Sequence, residues 1–374
     1  MSHSSDIKKL LGFLSEKEEK INHQEFKSLN NVGKYCNFVI DTLTRKQYIV
    51  IGCNKTISVF DALTLKEQLL KKINLNDSLM SLATYFDNNI LFVVTNEIFS
   101  NIIKVWNVFD GVCVKTLTGH TDHIHILHTF TNKKTGKVYI VSGGWDKTIK
   151  VWDTSNWTCI KTIQYTKRLI ECIYSFNTFL KYEYIKKQLE SLNTHTNIVC
   201  KDIITHYLLP YSYEPSTYIL IGDSRNNLDV IDTSNWSCKS INCGNTYYSI
   251  SSSTTYTDAK TGEVFIVIAS DDKYTIKVLY ASDGTCIKTL YGHTNVIWSL
   301  STFTDEKTNK VYIISGSRDN TIKVWDTSLN NPCIKTLTGH TSDVTYVSTY
   351  TDPLTNKVNI VSGSWDNNIK IWDF

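Results

Sequence analysis

The sequence predicts an all-β fold built from seven repeated units of about four strands each. Short apolar runs bounded by turn residues indicate the strands, and a marker residue that returns at a nearly constant interval indicates the repeat. Few prolines and many Tyr, Asn and Thr residues also favour strands and turns over helices. The spacings between successive markers are 46, 46, 79, 48, 46 and 47 residues, and the markers are Phe60, Trp106, Trp152, Ile231, Leu279, Trp325 and Trp372.

Each unit contains the same order of strand-like segments. The run VYIVSG from Val138 is typical of a strand covered on both faces, and TIKVW follows it after a turn at Asp146-Lys147. A third run resembling CIKTL comes next, and a fourth segment such as HIHILHTF, from His123, completes the unit. We interpret the cysteines of the third run as small buried residues: Cys113, Cys159, Cys238, Cys286 and Cys333.

Three units carry a Gly-His pair near their start and a Trp-Asp pair at their end. These pairs are Gly119-His120 with Trp152-Asp153, Gly292-His293 with Trp325-Asp326, and Gly339-His340 with Trp372-Asp373. With a period near 45 residues, the pattern resembles the WD-repeat family of β-propellers. The resemblance covers about residues 35–374 and implies one seven-bladed propeller with four antiparallel strands per blade. It also implies that an N-terminal strand, residues 25–29, completes the last blade and closes the ring.

The resemblance further implies a buried, hydrogen-bonded tetrad in each of these three blades. The matching positions are His120, Ser142, Asp146 and Trp152; His293, Ser315, Asp319 and Trp325; His340, Ser362, Asp366 and Trp372. Ser, His and Asp also form catalytic triads, but a set that occurs three times in one context favours a structural role. The sequence has no phosphate loop, HExxH, GxSxG or dinucleotide fingerprint, so we expect no catalytic residues and no enzyme activity.

We also expect no metal site and no cofactor. His120, His123, His125 and His128 lie close together in the sequence, and His123 and His125 share one strand face. No neighbouring set of cysteines or carboxylates completes a ligand sphere for them.

Two segments depart from the repeat. An insertion at residues 177–216 separates the first two strands of blade 4, and the apolar residues at 185, 189 and 192 have helical spacing. The insertion is either a partner-binding segment or a decoration without a binding role. The propeller takes residues 25–374, and residues 1–24 form an N-terminal tail, either frayed or a short amphipathic helix.

The resemblance places two groups of loop residues on the top rim of the propeller, around its central channel. Residues just before the turn aspartates are Trp145, Arg318 and Trp365, with Asp271 in blade 5. Residues after the Gly-His pairs are His123, His125, Trp298, Asp343 and Thr345, with Glu171 in the matching position of blade 4. Because Trp and Arg are enriched in binding hot spots, we expect this rim to bind partners. The alternative is that the rings only cover the mouth of the channel.

These observations favour a non-catalytic scaffold that binds other proteins or peptides. The alternative is a substrate-recruiting subunit of an enzyme complex, such as a ubiquitin ligase. A net charge of +3 and only four arginines argue against direct nucleic-acid binding, and no apolar run is long enough to span a membrane. The N-terminus does not resemble a signal peptide, so we expect a cytoplasmic protein, with the nucleus as the alternative, and a monomeric propeller within a larger complex.

Overall fold

The computed structural model is an all-β propeller. It describes residues 35–40, 47–53, 55–61, 69–132, 134–165, 170–177, 217–223, 227–242, 249–258, 261–305, 307–329, 332–351, 357–366 and 368–374. Within these ranges the strands form seven antiparallel sheets, and in each sheet spatial order follows chain order.

The first three blades each contain four strands. Blade 1 consists of β1 (Tyr35–Ile40), β2 (Gln47–Cys53), β3 (Thr56–Asp61) and β4 (Leu69–Asn74). Blade 2 consists of β5 (Leu79–Asp87), β6 (Ile90–Glu97), β7 (Ile103–Asn107) and β8 (Val112–Leu117). Blade 3 consists of β9 (Ile124–Thr131), β10 (Val138–Gly144), β11 (Thr148–Asp153) and β12 (Thr158–Gln164).

The next three blades repeat this arrangement, and the seventh has three described strands. Blade 4 consists of β13 (Ile170–Asn177), β14 (Thr217–Asp223), β15 (Asn227–Asp232) and β16 (Cys238–Asn242). Blade 5 consists of β17 (Ile250–Thr257), β18 (Val264–Ser270), a 3₁₀ turn (Asp272–Tyr274), β19 (Thr275–Tyr280) and β20 (Cys286–Leu290). Blade 6 consists of β21 (Ile297–Asp305), β22 (Lys310–Ser317), β23 (Ile322–Asp326) and β24 (Cys333–Leu337). Blade 7 consists of β25 (Val344–Thr351), β26 (Val358–Ser364) and β27 (Ile369–Asp373).

The seven sheets form a closed ring. The first strand of each blade contacts the first strand of the next blade, and β25 contacts β1. The first strands therefore surround the axis, and the fourth strands lie on the circumference. This arrangement confirms the seven-bladed propeller. The predicted closing strand at 25–29 and the tail at 1–24 lie outside the described residues and stay predictions.

The predicted insertion also lies almost wholly outside the described residues. Its first residue, Asn177, is the last residue of β13 and pairs directly with Thr217, the first residue of β14. The interruption of blade 4 therefore begins at residue 178 and returns to the neighbouring position in the sheet.

The hydrophobic core lies between the blades. Ile140 and Trp152 of blade 3, for example, share a buried cluster with Ile103 and Leu117 of blade 2. Each such apolar side chain contributes about 1.5–3 kcal/mol when it is removed from water. Because every blade buries both faces of its sheet in this way, β10 has the continuous apolar sequence VYIV.

The prediction that the repeated cysteines are buried was wrong. Cys159, Cys238 and Cys286 are exposed, and Cys113 and Cys333 are half-buried. All five lie on fourth strands, at the circumference, where only part of each strand is covered by other residues. No helix among the described residues is both long enough and apolar enough to cross a bilayer.

Candidate functional site

A buried hydrogen-bonded tetrad joins the loops of blade 3. The Nδ1 atom of His120 lies 2.8 Å from Oδ2 of Asp146, and its Nε2 atom lies 2.7 Å from Oγ of Ser142. The indole Nε1 of Trp152 donates to the same Ser142 oxygen at 2.9 Å. Both ring nitrogens of the histidine are therefore satisfied, as a buried polar network requires.

Blades 6 and 7 contain the same network. His293 lies 2.7 Å from both Asp319 and Ser315, and Trp325 donates to Ser315 at 2.8 Å. His340 lies 2.8 Å from Asp366 and from Ser362, and Trp372 donates to Ser362 at 2.8 Å. The three serine side chains are completely buried, so these Ser-His-Asp sets have the contacts of structural networks.

Hydrogen bonds lower the pKa of the aspartate of the blade 3 tetrad, and burial lowers the pKa of its histidine. Burial alone would raise the pKa of Asp146, but hydrogen bonds from Thr148, the Thr121 backbone N–H and His120 lower it below the ordinary value. Burial lowers the pKa of His120, against the opposing influence of the Asp146 carboxylate. At neutral pH this blade therefore holds a neutral imidazole beside an ionised carboxylate.

The tetrad aspartate also positions the residues of the top rim. Its two oxygens accept hydrogen bonds from the backbone N–H groups of Thr121 and Thr148, on the two loops that flank the rim of blade 3. The backbone N–H of Trp145 in turn donates to the carbonyl of His123 at 2.8 Å. Matching bonds join Arg318 to Val296 and Trp365 to Asp343.

Three aromatic side chains form one exposed cluster on the rim, here called the blade 2–3 cluster. It consists of Phe99, His123 and Trp145. The His123 ring lies 5.3 Å from the Phe99 ring and 5.7 Å from the Trp145 ring, measured between centroids. Phe99 is 76% exposed and Trp145 is 46% exposed, so much of this aromatic surface faces solvent.

A second cluster lies at the junction of blades 6 and 7 and is here called the blade 6–7 cluster. It consists of Trp298, Arg318, Asp343 and Trp365. The two indoles lie 6.4 Å apart between centroids, and Nε1 of Trp298 donates to Oδ2 of Asp343 at 3.2 Å. Nε of Arg318 lies 3.7 Å from the same Asp343 oxygen. The cluster thus combines apolar rings with one cation and one anion.

The other predicted rim residues have different surroundings. His125 and Thr345 are half-buried in the first strands of their blades. Asp271 accepts a 2.6 Å hydrogen bond from Ser249, and its Oδ1 atom is buried without a hydrogen-bond partner among the described residues. Burial accordingly raises the pKa of Asp271. Glu171 lies in β13, and its side chain is outside the described part of the structure.

Phe99 was missed by the sequence reasoning. The other rim residues are marked by the turn aspartate that follows them, and the turn of blade 2, Glu97 to Asn101, contains no aspartate. The marker spacing contains the missing signal, because Phe99 precedes Trp106 by the same interval that separates Trp145 from Trp152.

No group of three or more His, Cys, Asp or Glu side chains within the described ranges could hold a metal ion.

The family model described as WD domain, G-beta repeat, matches residues 111–153, 284–326 and 331–373. Each match runs from the fourth strand of one blade to the third strand of the next and includes one complete tetrad. No curated protein matches the chain.

Proposed function

Because the chain belongs to the WD-repeat family of β-propellers, we propose that it is a non-catalytic scaffold that binds a partner protein or peptide on its top rim. Propellers of this family generally serve as interaction scaffolds for proteins or peptides. The tetrads suit such a role, since their side chains form structural hydrogen bonds that hold the rim loops in place.

The exposure of large aromatic side chains at the loop tips carries this proposal. Trp145 is 46% exposed and Trp365 is 49% exposed, at the same position of two different blades. The aspartate that follows each of them belongs to the tetrad, and the turn itself needs only that aspartate. Tryptophan at an exposed tip offers a large, rigid surface at a small entropic cost, which is typical of residues that dominate interfaces.

The test is affinity purification of the full chain with quantitative mass spectrometry. The variant Trp145→Ala/Arg318→Ala/Trp365→Ala should lose the partners that the wild type recovers. A matched control, Ile160→Ala/Leu329→Ala, removes exposed apolar side chains from an outer strand and from a turn of the opposite rim, and should retain those partners. Loss of the partners in the control variant and their retention in the rim variant would show that the binding site lies away from the top rim. Recovery of ubiquitin-ligase adaptors with the wild type would favour the recruiting-subunit alternative.

A further inference from the structure

An arginine with unused hydrogen-bond donors stands in the blade 6–7 cluster. The side chain of Arg318 is 55% exposed, and its distance of 3.7 Å from Asp343 is an ion-pair contact too long for a hydrogen bond. A guanidinium group has five N–H donors. None of them is hydrogen-bonded to a residue within the described ranges.

Asp343 holds this arginine next to an apolar surface. Its side chain is mostly buried, and the oxygen nearest to Arg318 also accepts the hydrogen bond from the Trp298 indole. Trp365 packs beside Trp298, and both rings remain partly exposed. The cluster is therefore ordered before any partner arrives, which reduces the entropy lost on binding.

We propose that the blade 6–7 cluster binds a peptide carboxylate, from Asp or Glu, that lies next to an aromatic or aliphatic side chain of the partner. This inference rests on the proposed function and specifies the chemistry of the partner. Two parallel N–H donors of a guanidinium match the two oxygens of a carboxylate. The exposed faces of Trp298 and Trp365 offer the surface for the neighbouring apolar group.

The charge of the cluster favours a carboxylate over a phosphate. Sites for phosphorylated peptides generally use several arginines. Arg318 is the single arginine in the described ranges, since Arg45, Arg168 and Arg225 lie outside them. Asp343 already offsets part of its charge, so a singly charged carboxylate fits better than a doubly charged phosphate.

Selection of displayed random dodecapeptides on the full chain tests this proposal. Selected peptides are synthesised, and their dissociation constants are measured by fluorescence polarisation. We expect the peptides to share Asp or Glu next to Trp, Phe, Leu or Ile. Changing that acid to its amide should weaken binding to the wild type by about tenfold. The same change should have little effect on binding to Arg318→Gln, because the interaction it removes is already absent.

Matched variants separate charge from geometry. Arg318→Lys retains the charge but loses the two-pronged geometry, so its affinity should fall between those of wild type and Arg318→Gln. Trp365→Ala should weaken all selected peptides, and Leu329→Ala, on the opposite rim, should not. Because these side chains are exposed, we expect each variant to fold. Thermal unfolding verifies this before binding is measured.

The outcomes distinguish this proposal from the proposed function. Peptides that bind Arg318→Gln as tightly as wild type but lose affinity for Trp145→Ala or Phe99→Ala would overturn the carboxylate site and support the top rim. Insensitivity to every rim variant would overturn both. Selection of no acidic peptide, or clearly tighter binding when phosphoserine replaces the acid, would also overturn the carboxylate assignment.

Discussion

Lys161 of blade 3 lies over the indole of Trp236 in blade 4, with its Nζ atom 5.9 Å from the ring centroid. In blades 1, 4, 5 and 6, the matching lysine donates a hydrogen bond to a backbone carbonyl of the next blade, as Lys71 does to Asp110 at 2.9 Å. Lys239 and Lys335 make the same kind of bond to Ser282 and Asp373. Five lysines of the outer strands therefore join neighbouring blades, and Lys161 does so through an aromatic ring instead of a carbonyl.

The backbone at Trp236 adopts a conformation that most side chains avoid. Its φ angle is +61°, and Trp157 has +62° in the matching turn of blade 3. In blades 2 and 5 this position is held by Gly111 and Gly284, where a Cβ would clash with the preceding blade. Both tryptophans are half-buried against core clusters.

The packing of the Trp236 ring should compensate for its strained backbone. Trp236→Ala loses the packing and keeps the strain, whereas Trp236→Gly loses the packing and relieves the strain. We therefore expect the Ala variant to be less stable than the Gly variant by about 1 kcal/mol, measured by urea unfolding.

Trp298 provides the matched control for this comparison, because it lies in β21 and its φ angle is not positive. There Ala should be more stable than Gly. The same order of stability at both positions would show that strain at Trp236 has no energetic consequence.

The repeat was predictable from sequence because strand periodicity and marker spacing follow directly from the packing between blades. The tetrad positions came from the resemblance to the WD-repeat family, because the histidine and aspartate of each set lie at the same distances from its tryptophan, as His293 and Asp319 do from Trp325. The half-burial of Trp236 could not be predicted from the sequence. A positive φ angle changes the direction of its side chain, and the dipeptide Asn-Trp does not indicate a positive φ. The exposed cysteines were misjudged because a strand pattern does not reveal that its strand lies on the circumference.

The tetrad of blade 6 should contribute to stability. In Asp319→Ala, His293 Nδ1 and the backbone N–H of Thr294 lose their acceptor inside a mostly buried network. Leaving such donors unsatisfied costs about 1–3 kcal/mol in the free energy of unfolding, measured by urea denaturation. The control Asp373→Ala removes an exposed carboxylate and should have little effect. Equal stabilities of the two variants would place Asp319 outside any stabilising network.

Acidification should destabilise the folded protein. Burial lowers the pKa of His128 to about 4, from an ordinary value of 6.5, and burial also lowers the pKa of His340. A histidine whose folded pKa is depressed favours the folded state above the unfolded pKa, and this contribution is lost as pH falls below it. We expect the urea midpoint to change little above pH 7 and to decrease between about pH 6.5 and 4.

His128→Gln isolates one contribution to this pH dependence, because glutamine does not titrate in this range. The difference in stability between wild type and His128→Gln should shift in favour of the variant as pH decreases from 7 to about 4. A constant difference across this range would contradict the role assigned to His128.

The ring should fold without the interruption of blade 4. Asn177 and Thr217 are direct cross-strand partners, and the register of β13 and β14 continues inward from this pair. A two-residue Asn-Gly turn in place of residues 178–216 can therefore connect the strands in their present register. Because closing a short loop costs less entropy than closing a long one, the melting temperature should be unchanged or slightly raised. Loss of cooperative unfolding would instead show that the segment belongs to the core. If the ring remains folded, retention of the wild-type partners in affinity purification would favour a decoration, and their loss would favour a partner-binding segment.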